Sequence, residues 1–290
     1  MTDLTQLGAH FAFGDNWARY AEAISEREID QAVRGLKRLL ATDSLVGRTF
    51  LDIGCGSGLH SLAALRLGAT RVSACDIDPI SVRTTEAVLQ QFAPSASYEI
   101  NERSVFALDP RALGKFDVVY SWGVLHHTGD LVRALHVAAS LVTPAGLFAF
   151  ALYQKTLLCP LWKLEKRWYA VAAKRQQELA RRIYLAGHSA RLRLFGKTLA
   201  TYVASYKSNR GMDFYHDVHD WLGGHPYESM SPYEVDQLMQ AQQFEHVRSF
   251  TVAGARRPIG LFGSGCNEFV YRAGPARLAH GSSLGASSPQ

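Results

Sequence analysis

Cysteine is scarce: Cys55, Cys75, Cys159 and Cys266 are the four in 290 residues, and no two form a Cys-x-x-Cys pair. That spacing argues against a zinc site and against a disulfide framework, leaving small buried thiols of a reducing compartment. Long hydrophobic runs are missing too. No stretch approaches the ~18 uninterrupted apolar residues of a membrane span, and the start, MTDLTQLGAHFAFGDNW, has neither a basic nor an apolar leader region. The expectation is a cytoplasmic chain without a transmembrane segment. Acid is short in one region alone. Between Tyr153 and Arg210 two acids, Glu165 and Glu178, stand against 13 Lys and Arg, so the formal charge of +5 hides a strongly basic segment in an otherwise acidic chain. With 47% hydrophobic and 20% charged residues, the composition excludes disordered and fibrous classes and suits one large core with an appended subdomain.

Residues 16–42 carry apolar positions at helical spacing, among them Ile24, Val33, Leu36 and Leu40. From Thr49 short apolar runs alternate with helix signals: TFLDIG, RVSACDI, YEINER, FDVVYS and LFAFALY. Runs of this length separated by helices predict βαβ units and a parallel sheet buried on both faces. After Tyr153 the alternation gives way to a basic, aromatic, mostly helical insertion. It resumes at SPYEVDQLMQ, where Ser231, Pro232 and Glu234 make a capping box, followed by the strand-like HVRSFTVA and NEFVYRA. The Ser-, Gly- and Ala-rich tail from Ala276 reads as disordered.

The stretch LDIGCGSG, residues 51–58, is a strand turning into a helix through three glycines, a shape that lets a ligand approach bare backbone. Dinucleotide enzymes use the same device with a G-x-G-x-x-G spacing. Here Leu59 stands where the third fingerprint glycine belongs, and Asp52 precedes the turn. An acid there is a poor neighbour for pyrophosphate and a good one for a ligand bearing an ammonium group.

Asp52, Gly54, Gly56 and Gly58 together resemble the first motif of class I S-adenosylmethionine-dependent methyltransferases. The resemblance continues through Asp76 at the second strand end, where the family has an acid that accepts both ribose hydroxyls, and through Ile77, similar to the apolar residue covering adenine. It includes Ser104 and Val105 after the third strand, and FDVVYSWGVLHHTGD, residues 116–130, around the fourth, which adds Ser121 to the cofactor side. These motifs cover residues 46–153. The resemblance implies a doubly wound, mostly parallel seven-stranded α/β sheet of Rossmann-like type, with S-adenosyl-L-methionine as cofactor. It implies an N-terminal helical lid over 1–45, the cofactor-binding core over 46–153, a helical basic insertion and substrate cap over 154–230, and the rest of the core over 231–275. The start of the chain resembles the lid of many members, with Trp17 and Tyr20 covering the cofactor, although plain packing of an amphipathic helix explains the same residues.

Methyl transfer from a sulfonium requires alignment, exclusion of water and, for a protonated nucleophile, a base. His126 and His127 are the candidates after the fourth strand, since neutral imidazole accepts a proton at physiological pH. His126 stands where ubiquinone-type O-methyltransferases have a cavity-facing glutamate, which makes it the expected catalytic residue. His127 is placed on the substrate side, in a structural or contact role. A second constellation, residues 211–228, offers His216 and Asp217 as alternative bases and Asp220, Trp221 and Glu228 as a substrate wall; Asn267 enters the last strand from the same side. Capping and strand-end hydrogen bonding are the plainer explanations of these residues. No metal is expected, because the helical spacing of this cluster forces no compact ligand set.

The acceptor implied is a small molecule or a glycan- or lipid-linked precursor methylated on O, N or C. The tract LLCPLWKLEKRWY, residues 157–169, leaves three readings open: a solvated helix face, attraction of an anionic or membrane-held acceptor, and RNA binding. RNA is disfavoured because residues 118–123 lack an Asn-Pro-Pro-Tyr signature. Action on RNA or protein, and a non-catalytic cofactor-binding partner, remain the alternative functions.

Overall fold

The computed structural model describes residues 6, 10–11, 13–210, 214–251 and 259–275, with backbone alone for 207–210 and 216. The tail expected to be disordered, 276–290, lies outside the described residues. Two helices, α1 (Gly14–Ala21) and α2 (Glu26–Leu40), occupy the segment whose spacing predicts one. The break arises at Ser25, whose Oγ accepts from the Arg27 N–H (3.3 Å) while its own N–H donates to Glu28 Oε2 (3.1 Å), starting a new helix.

Strands and helices then alternate as β1 (Thr49–Ile53), α3 (Leu59–Arg66), β2 (Arg71–Asp76), α4 (Pro79–Phe92), β3 (Tyr98–Glu102), the single turn α5 (Pro110–Leu113), β4 (Phe116–Trp122), α6 (Leu131–Ser140) and β5 (Val142–Tyr153). Four helices follow, α7 (Cys159–Val171), α8 (Lys174–Leu194), α9 (Leu199–Arg210) and α10 (Phe214–Gly223), before α11 (Pro232–Ala241), β6 (Phe244–Phe250) and β7 (Cys266–Ala273) return to the sheet. The order is β3-β2-β1-β4-β5-β7-β6, with β1 to β5 parallel and β7 antiparallel to both its neighbours. This is the predicted doubly wound, mostly parallel sheet of seven strands.

Successive strand residues point to opposite faces. Leu51, Val119 and Phe148 pack with α6 and α11, while their neighbours Phe50, Val118 and Ala149 pack with α2 and α3. Each large apolar side chain so buried contributes about 1.5 to 3 kcal/mol, which is why the strands read as continuous apolar runs. Ser231 caps α11, its Oγ accepting from the Glu234 N–H (3.3 Å) and its N–H donating to Glu234 Oε2 (2.8 Å).

Helices α7 to α10 form a cap with an apolar centre of its own, Tyr169, Tyr206, Phe214, Val218 and Leu222. Backbone bonds tie it down: Phe11 N–H donates to the His225 carbonyl (2.7 Å), Glu228 N–H to His126 (2.9 Å) and Met230 N–H to Tyr153 (3.2 Å). The strand order reverses between β1 and β4, so the loops after β1, β2 and β4 meet beneath the cap.

Candidate active site

The turn from β1 to α3 requires glycine. Gly54, Gly56 and Gly58 have φ of +78°, +55° and +74°, and a Cβ on Gly54 would lie 2.4 Å from Val124. Gly56 N–H donates to Asp76 Oδ2 (3.0 Å) and Asp78 N–H to Asp76 Oδ1 (2.9 Å), which fixes the carboxylate and leaves each oxygen able to accept again. Burial pushes Asp76 up to about 6, against the pull of those backbone donors. Trp17 closes on the turn, 3.1 Å from the place of a Gly56 Cβ. Asp78 pins α1: it accepts from Gly14 N–H (2.9 Å), where a Cβ would lie 2.5 Å away, and from Ile80 N–H (2.8 Å) as cap of α4. Sequence reasoning passed over Asp78, although Asp-Pro before a helix is a capping signal.

One cavity of about 680 Å³ runs from this turn to the cap. Trp17, Tyr20, Asp52, Asp76, Ile77, Ser104 and Val105 line its sheet end. Ser121 does not join them; it is fully buried and its hydroxyl donates to the Ile53 carbonyl (2.9 Å), so its placement on the cofactor side is corrected to a tie between β4 and β1.

Asp52 is 2% exposed and accepts from Ser61 Oγ (2.7 Å). Burial, reinforced by the charge of Asp76, raises it to about 7. A carboxyl whose folded pKa exceeds its unfolded value of about 3.9 contributes stability that is fully present below pH ~4 and is lost as pH rises through the folded pKa. Asp52→Asn is therefore expected to make the ligand-free protein more stable by at least about 1 kcal/mol at pH 8, a gain shrinking toward pH 5. Urea unfolding at the two pH values checks this; a variant less stable at pH 8 contradicts it.

The loop after β4 departs from expectation. His126 is fully buried, its ring centre 3.9 Å from that of Tyr153, and its Nδ1 accepts from the Tyr153 N–H (3.3 Å). That bond leaves the ring proton on Nε2, which has no hydrogen-bond partner among the described residues. Burial, with His127 beside it, pushes the imidazole well below its usual range. In that tautomer the remaining nitrogen is a donor and not an acceptor, so although the ring borders the cavity a base role for His126 does not follow from this geometry. His127 directs Nδ1 at the Pro226 (2.8 Å) and Gly224 (3.1 Å) carbonyls, clamping the end of the cap, although its ring borders the cavity.

Asp217, Asp220 and Trp221 of α10 line the cap end. Asp217 accepts from the Tyr206 hydroxyl, and Asp220 from Asn16 Nδ2 (2.5 Å), joining α1 to the cap. Burial raises Asp220 to about 7. The side chain of His216 lies outside the described residues. Two expected substrate contacts are spent elsewhere: Glu228 Oε2 accepts from Leu131 N–H (2.9 Å) at the start of α6, and fully buried Asn267 donates to Gln154. Residues the sequence did not mark include Tyr153, Tyr184, His188 and Phe262, all bordering the cavity. Among the described residues no three His, Cys, Asp or Glu are grouped to hold a metal ion.

Among the described residues, no cation of the insertion borders this cavity. Lys163 and Arg167 are exposed, and Lys166 is buried behind Trp221, its Nζ 3.6 Å from that ring's centre and donating to that residue's carbonyl. Burial holds Lys166 below the usual lysine range. Of the described Lys and Arg, Arg38 and Arg103 border the cavity, and Arg38 is paired with Glu268 (2.5 Å).

A family profile described as a methyltransferase domain matches residues 51–148. A ubiquinone biosynthesis O-methyltransferase of Methylobacterium sp. (strain 4-46) is 34% identical over 119 residues, 41% of this chain and 46% of that protein. The chain thus spans about half the length of that relative. A protein of the same name from Brucella ovis is 31% identical over 180 residues, 58% of this chain and 71% of that protein. The chain belongs to the S-adenosylmethionine-dependent methyltransferases. Its fold is shared with a magnesium protoporphyrin IX methyltransferase of Synechocystis PCC 6803 solved with bound SAH, at a TM-score of 0.50 and 16% identity over 85% of this chain and 82% of that one. The family's cofactor, S-adenosylmethionine, fits the residues present. Gly54 and Gly56 of the turn border the cavity with bare backbone, Asp76 retains acceptor capacity for a diol, and two carboxyls, Asp52 and Asp76, suit a sulfonium and an ammonium while opposing a phosphate. Among the described residues no helix is long and apolar enough to cross a membrane.

Proposed function

We propose that this methyltransferase carries the methyl group of S-adenosylmethionine to an O, N or C nucleophile of a small molecule held beneath the α7–α10 cap. The observation that carries the reading is the single cavity joining Asp76 and the glycine turn to Asp217, Asp220 and Trp221. When bound, the cofactor supplies an electrophilic methyl on a sulfonium. Asp76 accepts its ribose hydroxyls, Asp52 offsets its positive charge, and Trp17 and Tyr20 cover it. The cap excludes water and orients the acceptor. Asp220 is the proton acceptor in this reading, because it faces the cavity and titrates near neutrality, as a general base should.

Incubation with cofactor labelled in its methyl group and a lysate fractionated into small molecules, lipids, RNA and protein tests the proposal. Label in the small-molecule fraction supports it. Label confined to RNA or protein, or cofactor binding without transfer to any fraction, replaces it with one of the alternatives.

A lipid-linked acceptor is a second reading, favoured by the outer side of α7. Leu161, Leu164 and Trp168 are exposed there beside Lys163 and Arg167, a pattern suited to an anionic bilayer surface. Label entering the lipid fraction supports that reading, and label in water-soluble molecules alone removes it.

A further inference from the structure

His188 of α8 is 6% exposed, borders the cavity, and has no hydrogen-bond partner for either ring nitrogen among the described residues. Leaving a buried donor and a buried acceptor both unmade is costly, and native proteins rarely do so without a ligand or water to complete them. The surroundings are flat and aromatic. Tyr184 lies nearly parallel to the imidazole (6.1 Å between centres, 17° between planes), with Tyr202 at 5.1 Å and Phe262 at 5.7 Å. Tyr184 is itself held, its hydroxyl donating to the Phe262 carbonyl (2.9 Å), which fixes that ring beside the imidazole.

We propose that His188 and the rings around it form a recognition subsite for an uncharged flat part of the methyl acceptor bearing a hydroxyl or carboxamide. This rests on the methyltransferase reading above. Neutral imidazole offers one donor and one acceptor, which a hydroxyl or an amide answers with one acceptor and one donor. Burial, followed by the nearby charge of Arg191, holds the ring in that neutral form. A carboxylate can use only the donor. Asp217 and Asp220, which border the cavity, oppose an anion as well, against the attraction of Arg191 near the ring. His188 is carried by α8 and Asp220, the proton acceptor of the reading above, by α10, so in this proposal the subsite holds a part of the acceptor other than its methylated atom.

The test uses the whole chain saturated with S-adenosylhomocysteine and four probes: phenol, benzamide, benzoate and toluene. Binding is read by ligand-detected NMR, and the His188 ring nitrogens by ¹⁵N shifts. Phenol and benzamide are expected to bind and to move the His188 signals, whereas benzoate and toluene bind at least about tenfold more weakly. His188→Phe is expected to remove the preference, and His188→Gln, which keeps a donor and an acceptor, to retain most of it, with S-adenosylhomocysteine affinity unchanged in both. Equal binding of all four probes to the unmodified protein, or probe binding that leaves the ¹⁵N shifts still, overturns the subsite and assigns the nitrogens to water. These two readings need no variant, so a His188→Phe chain that fails to fold does not protect the proposal. Failure of S-adenosylhomocysteine to bind the unmodified protein instead removes the methyltransferase reading on which the subsite rests.

Discussion

Asp76→Ala is expected to weaken S-adenosylmethionine binding at least about tenfold, because a half-buried carboxylate already aligned by Gly56 and Asp78 accepts charge-assisted hydrogen bonds worth roughly 1.5 to 3 kcal/mol each. The same group sets a pH dependence. Its ionised form is the one that accepts both hydroxyls and attracts a sulfonium, and burial raises its pKa to about 6. Affinity is therefore highest above that value and falls as pH drops through it, while the Asp76→Ala chain shows a flatter profile. Calorimetry between pH 5 and 8 on the two proteins checks both statements. Equal affinities at pH 8 contradict the assignment of this carboxylate to the cofactor.

Asp220→Asn carries the second large effect. Amide replacement keeps the size of the side chain and its contact with Asn16 while removing the basic oxygen. Turnover of a protonated acceptor should fall by roughly 10² to 10⁴, the range of general base catalysis, with cofactor affinity within about twofold of the unmodified protein. In the unmodified protein kcat/KM should rise with pH to a plateau above about 7, where burial places the Asp220 titration. The variant should lose that rise. Undiminished turnover would transfer the role to Asp217 or show that the acceptor reaches the site already ionised.

What the sequence displayed plainly is what local geometry dictates. Three glycines spaced for left-handed backbone and an acid closing the next strand form a pattern in the chain itself, so Gly54, Gly56, Gly58 and Asp76 were legible from spacing and resemblance, although the bond that joins Gly56 to Asp76 spans 20 residues. Strand alternation was legible for the same reason, since Leu51 and Phe50 face opposite layers whatever packs there. The misplacements involve distant partners. Ser121 and Asn267 have suitable chemistry at strand ends and Glu228 in the loop before α11, yet the Ile53 carbonyl, the Gln154 side chain and the Leu131 N–H take them. His126 has the look of a base in the sequence, yet the Tyr153 N–H takes its Nδ1.

The basic insertion was the least legible part. On α7 the face turned inward holds Trp162, Lys166 and Tyr169, and the face turned outward holds Leu161, Leu164 and Trp168 beside Lys163 and Arg167. Cations and apolar residues occur on both faces, so helical periodicity alone assigned neither. A lysine sits inward because a tryptophan ring and a carbonyl receive it, and both come from α10, some 55 residues further along. His188 had no marking at all in the sequence. A single histidine in a basic helix becomes distinctive only when its two unpaired nitrogens are found beside a cavity.

The most direct test of the central claim is a calorimetric titration of the unmodified protein with S-adenosylmethionine, repeated with NADH. Saturable binding of S-adenosylmethionine at one site per chain, weakened by Asp76→Ala, together with no measurable heat from NADH, is the predicted result. Tight NADH binding, or no binding of S-adenosylmethionine at neutral pH, would contradict the assignment of the cavity at Asp52, Asp76 and the glycine turn to that cofactor.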